Sequence, residues 1–464
     1  MPLLCPRVPS YHPFSGGGVN MGANKLTTAQ EYVRSNYVDT GRLRYDLLSQ
    51  KLQIAPQPPE GGEVGVEEER SRGVGATWQD LDTRWINTLA VECANETGIN
   101  VTDKEIRIVL NSHVVPAINP LRDWLLSLPE YTPGNQSFID WLSAQVHVSN
   151  GSRGGEEEGS RVNPQERFAL CFRKWFVAMV ASWLYDEVVN QQVLVLIGKQ
   201  GIYKTTWLEH LLPPCLRAYQ TKMANVRDLN KDERMRIAEF GLINLDEIDS
   251  MSDKELNQLK SIITSSDVNE RAAYGYTKER RIRIASFCAS GNKREFLTDQ
   301  TGNRRWLPFE VESIESPFLY GDVFPYEQIY GEALYLLRNG FEYWFELEDI
   351  EAMESHIESF HVESNEEQLL PVYFQPANPG DAGAVFMSAA EISAMLVSYG
   401  NIRKPLAINK LSTLLQKSGF EPRRTNAKRG FVVYVIKDLD EQRKLDARTA
   451  CKLSDTSDAS DSVF

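Results

Sequence analysis

Apolar residues recur along this chain in two rhythms. Between residues 78 and 148 they fall at helical spacing: over 78–97, over 103–113 behind Thr102 as a cap candidate, and over 121–128 behind Asn119-Pro120. A more thoroughly apolar run at 168–189 predicts a buried helix. Directly after it the rhythm shortens. Four β-branched runs, at 193–197, 241–245, 282–288 and 306–311, alternate with helical stretches and predict an α/β layout around a mostly parallel sheet. Helical spacing returns at 389–399 and 408–418, followed by Arg423-Arg424 and a ribbon-like run at 431–436.

Polar breaks separate these runs. Residues 55–76 are rich in Pro, Gly and Glu, 149–163 in Gly, Ser and Glu, and 351–384 are acidic and then Pro/Gly-rich. The expected organisation follows: a disordered stretch at 1–25, with Met21 as a second candidate start; a mainly helical region at 26–148 with a loop at 55–76; a linker at 149–163; a core at 164–350; a linker at 351–384; a small domain at 385–437; and an acidic tail at 438–464.

Composition narrows the class. The 464 residues suffice for two to four domains, and no apolar run approaches the roughly 18 residues of a membrane span. No apolar signal core opens the chain, which predicts a cytoplasmic protein with no membrane partner. The six Cys are scattered without a CxxC pair, which fits a reducing compartment and argues against zinc. Net charge is −14, so contacts to nucleic acid must come from local basic patches.

The run at 193–197 ends in Gly198-Lys-Gln-Gly-Ile-Tyr-Lys-Thr-Thr206, where a helix is expected to begin. A strand, a glycine loop and a helix opened by Lys-Thr is the layout of a phosphate-binding loop. Gly198 and Gly201 free the backbone to cradle an anion, Lys204 adds a mobile charge, the Thr205 hydroxyl can hold Mg²⁺, and Thr206 continues the helix. One letter departs from the pattern: Tyr203 stands where Gly usually precedes the Lys. The run at 241–245 ends in Asp246-Glu247, a pair suited to holding Mg²⁺ and to polarising an attacking water. The run at 282–288 leads to Gly291-Asn292, an amide able to sense a γ-phosphate. Arg304-Arg305 precedes the fourth strand and can offer a cation to a transferring phosphoryl group.

The order of these elements resembles the superfamily 3 helicases among AAA+ ATPases, and more closely the virulence-associated protein E family, relatives of phage and plasmid primase-helicases. The matching residues are the phosphate loop, Asn244-Leu-Asp-Glu247, Ala289-Ser-Gly-Asn292 and Phe296-Leu-Thr-Asp-Gln-Thr-Gly-Asn-Arg-Arg-Trp306, and the likeness extends over about 77–345. It implies an α/β, P-loop AAA+-like core between a helical N-terminal region and a C-terminal winged-helix-like domain. It also implies ATP and Mg²⁺ as cofactors and a hexameric ring of identical subunits. Lys204 would bind the β- and γ-phosphates, Thr205 and Asp246 would place the metal, Glu247 would activate water and Asn292 would act as sensor. Arg304 or Arg305 would enter a neighbouring subunit's site. No primase region is visible upstream, so that activity would be lost or left to a separate protein.

Nucleic acid has two candidate contacts. Residues 269–283 read as a strand, a turn at Tyr274-Gly275-Tyr276 and a strand, with Tyr274 or Tyr276 to stack on a base and Lys278, Arg280 and Arg281 to track phosphates; the alternative is a solvated hairpin. In the small domain, Arg423, Arg424, Lys428 and Arg429 suit phosphate contacts, although winged helices also bind proteins. The leading expectation is an ATP-driven motor on single-stranded or forked DNA in phage-type or mobile-element replication. The alternatives are an ATP-dependent oligomerising switch or defence scaffold, and, more weakly, a small-molecule kinase.

Overall fold

The structure, a computed structural model, describes residues 24–55, 78–149, 163–223, 231–270, 279–297, 303–319, 321, 324–403, 405–425 and 428–436. It divides into two units, Met1–Phe360 and His361–Phe464.

The first unit opens with α1 (Lys25–Val33), β1 (Leu43–Asp46), β2 (Lys51–Ile54), β3 (Gln79–Asp80), α2 (Thr83–Thr97), α3 (Asp103–Leu110) and β4 (Ala117–Ile118). The strands form a sheet in the order β3-β2-β1-β4. The region expected to be mainly helical is therefore mixed, because strands of two to four residues are too short to register as alternation. Helices and sheet share a small core that includes Val33, Leu43, Ile54, Leu89, Cys93 and Ile106. Thr102 does cap α3, in a reciprocal box: its backbone N–H donates to Glu105 Oε2 at 2.9 Å.

The main sheet is assembled from the remainder of this unit. In chain order the elements are α4 (Pro120–Ser127), α5 (Phe138–Ala144), β5 (Val146–Val148), α6 (Pro164–Leu184), β6 (Val193–Gly198), α7 (Lys204–Glu209), β7 (Gln220–Met223), α8 (Lys231–Glu239), β8 (Leu242–Leu245), α9 (Asp253–Thr264), β9 (Asp267–Glu270), β10 (Glu279–Ile282), β11 (Ser286–Gly291), β12 (Trp306–Ile314), α10 (Tyr326–Arg338) and α11 (Leu347–Glu358). Six strands line up as β5-β12-β6-β11-β8-β7; all neighbours are parallel except β5, which runs antiparallel to β12. Parallel strands are covered on both faces, which is why β8 and β11 read as unbroken buried runs. Helix α6 supplies much of the cover. Its Phe168, Phe172, Trp175, Phe176 and Trp183 are wholly buried, and the two indoles donate to Phe287 O and Gly241 O, each at 3.1 Å. Gly241 is small of necessity: a Cβ there would lie 2.6 Å from Leu121 Cδ1.

Two expected boundaries move. Strand β5 and the apolar faces of α4 and α5 belong to the main core, so that core begins before 149–163 rather than after it. The acidic stretch expected to be a linker at 351–384 holds ordered helix: α11 buries Met353 and Ile357, and Glu351, Glu354 and Glu358 stay exposed between and beyond them. The single strand expected at 282–288 is two strands, β10 and β11, in different sheets.

The second unit consists of α12 (Asn365–Tyr373), β13 (Phe374–Pro376), β14 (Val385–Met387), α13 (Ala389–Gly400), α14 (Ile408–Lys417), β15 (Pro422–Arg424) and β16 (Arg429–Val435). Strand β16 pairs antiparallel with the other three. Ile392, Leu396, Leu411, Leu415, Phe420 and Val433 form its core. Among the described residues no helix is long and apolar enough to cross a membrane.

Candidate nucleotide site

Strands β6, β11 and β8 are adjacent and parallel, with Ile197 opposite Gly291 and Ala289 opposite Leu245. Their carboxyl ends therefore open on one edge of the sheet, the edge where open α/β sheets bind ligands. Gly198 leaves β6 there, Asp246 leaves β8 and Asn292 leaves β11. Three separated segments of sequence meet because the strand order places β11 between the other two.

The loop after β6 is tightly constrained. A Cβ on Gly198 would stand 2.5 Å from Val311 O, so this position admits no side chain without displacing β12. Gly201 takes φ +85°, freely accessible to glycine. Tyr203 takes φ 66° and ψ 15°, left-handed backbone that costs a side-chain-bearing residue about 1–2 kcal/mol. The loop thus keeps a backbone conformation that glycine adopts freely, and what Tyr203 adds is a side chain. That side chain points outward and meets the Phe318 ring at 6.5 Å.

Lys204 is buried, and its Nζ donates to Gly198 O at 2.8 Å, to Lys199 O at 2.6 Å and to Asn292 Oδ1 at 3.4 Å. Burial lowers its pKa, while Asp249 and then Asp246 oppose that shift. Thr205 Oγ1 lies 3.3 Å from Asp246 Oδ1 and 3.2 Å from Ser290 Oγ, and Ser290 Oγ donates to the same Asp246 oxygen at 2.6 Å. These are hard oxygen donors around one carboxylate, a set that suits Mg²⁺. Thr206 holds the helix end through its carbonyl, which accepts from His210 Nδ1 at 2.7 Å.

The remaining expected residues divide. Glu247 is exposed and sits at φ 53°, so β8 turns sharply just as the second carboxylate emerges. Asn292 is held by a residue that the sequence analysis passed over. Asp249 accepts from the backbone N–H of Asn292 at 3.1 Å and of Lys293 at 3.3 Å, and a Cβ on Gly291 would meet Asp249 Oδ1 at 2.8 Å. Ser290 was also missed, although two-residue alternation along β11 puts it on the face of Asn292. Arg304 and Arg305 form a turn at the amino end of β12. Trp306 pairs with Val193 and Val311 with Gly198, so these arginines begin at least five residues, or roughly 16 Å of strand, from the loop of their own chain. Arg304 is exposed, and burial, followed by Arg304 itself, lowers the Arg305 pKa.

The candidate hairpin forms as β9 paired antiparallel with β10. Tyr274 and Lys278 lie outside the described residues. Arg280 is exposed beside Asp267 at 2.6 Å. Arg281 corrects the expectation. Alternation along β10 sends it to the opposite face, where it is 8% exposed and donates to Glu239 Oε1 at 3.1 Å and to Leu48 O, so it offers no free charge to a phosphate. Arg283, just past β10, is 1% exposed; it donates to the carbonyls of Ala285 at 3.1 Å, Asn190 at 2.8 Å, Ser265 at 3.3 Å and Ile263, and burial lowers its pKa to about 9. In the second unit Arg423, Arg424 and Arg429 are exposed on the β15–β16 ribbon. Arg424 stands directly opposite Arg429. Lys428 is engaged by Glu391 at 2.6 Å, a contact that leads in holding the Glu391 carboxyl at about 2, and Arg423 pairs with Glu421 at 2.8 Å.

No curated protein matches the chain. Among solved structures it is similar to the apo structure of the NrS-1 C-terminal region (305–718), at 11% identity over 89% of this chain and 100% of that one, with a TM-score of 0.42. It is similar also to the A form of that apo region, at 10% identity over 89% of this chain and 99% of that one, with a TM-score of 0.41. The model of the virulence-associated protein E-like domain matches residues 161–362. That stretch contains β6, β8, β11 and every residue of the strand-end site, so the likeness to that family's domain covers the whole of the site.

Proposed function

We propose that the chain is a P-loop ATPase of the superfamily 3, AAA+ type, which hydrolyses ATP to move on single-stranded or forked DNA during phage-type or mobile-element replication. The observation that carries this reading is the meeting of Lys204, the Thr205–Asp246 pair and Asn292 at one sheet edge. Loop N–H groups receive the phosphates as Lys204 exchanges its bonds to Gly198 O and Lys199 O for phosphate oxygens. Thr205 and Asp246 would hold Mg²⁺, which would supply charge neutralisation at the phosphates. Glu247 accepts the proton of the attacking water, and Asn292, positioned by Asp249, hydrogen-bonds the γ-phosphate. Arg304 or Arg305 comes from the next subunit of a ring, six copies by resemblance. DNA meets Arg280 on the β9–β10 hairpin, with Tyr274 and Lys278 as further contacts expected from sequence, and the ribbon of a winged-helix-like second unit. Directly opposed Arg424 and Arg429 repel one another unless an anion sits between them, which favours a phosphate there.

The test is phosphate release by the full chain with and without single-stranded DNA. ATPase activity stimulated by DNA and abolished by Lys204→Ala is expected. Robust hydrolysis indifferent to DNA and RNA would overturn the motor. The left-handed Tyr203 favours one second reading, a slow ATP-dependent switch that assembles partners. It predicts ATP-driven oligomerisation, read by native mass, with little turnover; Tyr203→Gly kinetics decide between the two.

A further inference from the structure

We infer that Phe318, flanked by Tyr203 and His210, is the stacking platform for the base of the bound nucleoside triphosphate. The inference rests on the nucleotide reading above. Phe318 lies in the short turn Pro317–Leu319 just past β12, and it is 64% exposed, with Leu319 at 70%. Its ring is nearly perpendicular to both neighbours: 81° to Tyr203 at 6.5 Å between centroids, and 84° to His210 at 5.4 Å. Both neighbours have fixed positions. Tyr203 is set by the loop and immediately precedes Lys204, while His210 closes the far end of α7 and donates Nδ1–H to Thr206 O at 2.7 Å. Phe318 thus packs beside both ends of α7 while most of its surface faces water.

A lone exposed aromatic is ordinary, but a braced cluster of rings beside an anion site is a patch awaiting cover. The occupant follows from position. A nucleotide with its phosphates in the loop must extend its sugar and base to one side. On the β11 and β8 side the ground is held by Asp246, Asp249 and Asn292, which suit cations and phosphate rather than a neutral π-face. On the β12 side stand the rings, and Tyr203 belongs to both the loop and the platform. Stacking of this kind grips the face of a base and adds affinity without reading its edge.

The experiment measures equilibrium binding of ATP and of inorganic tripolyphosphate, which has the phosphates without the base, to the full chain. Wild type, Phe318→Ala and Phe318→Trp are compared. Phe318→Ala should weaken ATP by about tenfold and leave tripolyphosphate unchanged, and Phe318→Trp should restore ATP. Unchanged ATP affinity in Phe318→Ala overturns the platform, as does equal loss for both ligands. Loss of the oligomer with ATP affinity intact assigns the rings to a neighbouring copy and also overturns it. If wild type binds neither ligand, the nucleotide reading itself fails and the platform falls with it; ATP bound tightly but indifferent to Phe318 sinks the platform alone.

Discussion

The two ends of the main sheet carry different chemistry on the same strands. At the carboxyl ends of β6, β8 and β11, polar groups converge on each other within hydrogen-bond distance: Lys204, Thr205, Asp246, Asp249, Ser290 and Asn292. At the amino end of β12 the chemistry is cationic and separated from the loop by at least five residues of strand: Arg304 and Arg305. Parallel pairing forbids the two sets from meeting within one copy. A reaction that uses both is completed by a second copy, and this makes the comparison testable.

The largest expected effect is at the amino end. Replacing Arg304 and Arg305 together by Ala should lower phosphate release roughly a thousandfold, the scale of a lost arginine finger. Mixing that protein with the Lys204→Ala variant should recover activity, because each supplies what the other lacks; no recovery in mixed assemblies would break the comparison. At the carboxyl end, Asp246→Asn should cost about a hundredfold in turnover with a smaller change in ATP affinity, measured by steady-state kinetics and titration. Arg283→Met should cost about 3 kcal/mol in urea unfolding, because it strands several buried carbonyls.

A pH effect sharpens the same contrast. His356 on α11 is bonded to Pro308 O on β12 at 2.7 Å, and burial, aided by Arg167 and Arg294, lowers its pKa to about 4. Between its unfolded value near 6.5 and about 4, only the unfolded chain takes up this proton. Stability should therefore fall as pH drops through that window, by about 3 kcal/mol at most. His356→Gln should flatten the dependence in thermal melts at pH 5 and 7.5. The smallest effect is expected at Arg280→Ala: a few-fold weaker DNA binding with a salt slope reduced by about 1, and stability within about 0.5 kcal/mol.

Much of the strand-end site is legible in sequence because each piece ends a buried parallel strand, and such strands announce themselves as continuous apolar runs. The residues that hold those pieces together are not. Asp249 works by accepting backbone N–H groups from a segment more than forty residues away, a role that no local pattern encodes. Arg280 and Arg281 look equivalent as letters, yet the period of a strand sends one to solvent and the other to Glu239. The stretch at 351–384 looked like a linker because its carboxylates dominate the composition, while the Ser364-x-x-Glu367 box that starts α12 was a readable signal of helix. The small sheet of β1 to β4 rests on strands too short for periodicity to speak.

Arg283 gives the hairpin a mechanical character. Its guanidinium ties the root of β10 to the carboxyl end of α9 and to Asn190, which itself reaches Ser286 on β11 at 3.1 Å. A loose flap would bend at that root; here bending strips several carbonyls of a donor. Arg283 therefore fastens the root of β10 to the carboxyl end of α9, and a shift of one against the other would break several buried hydrogen bonds at once.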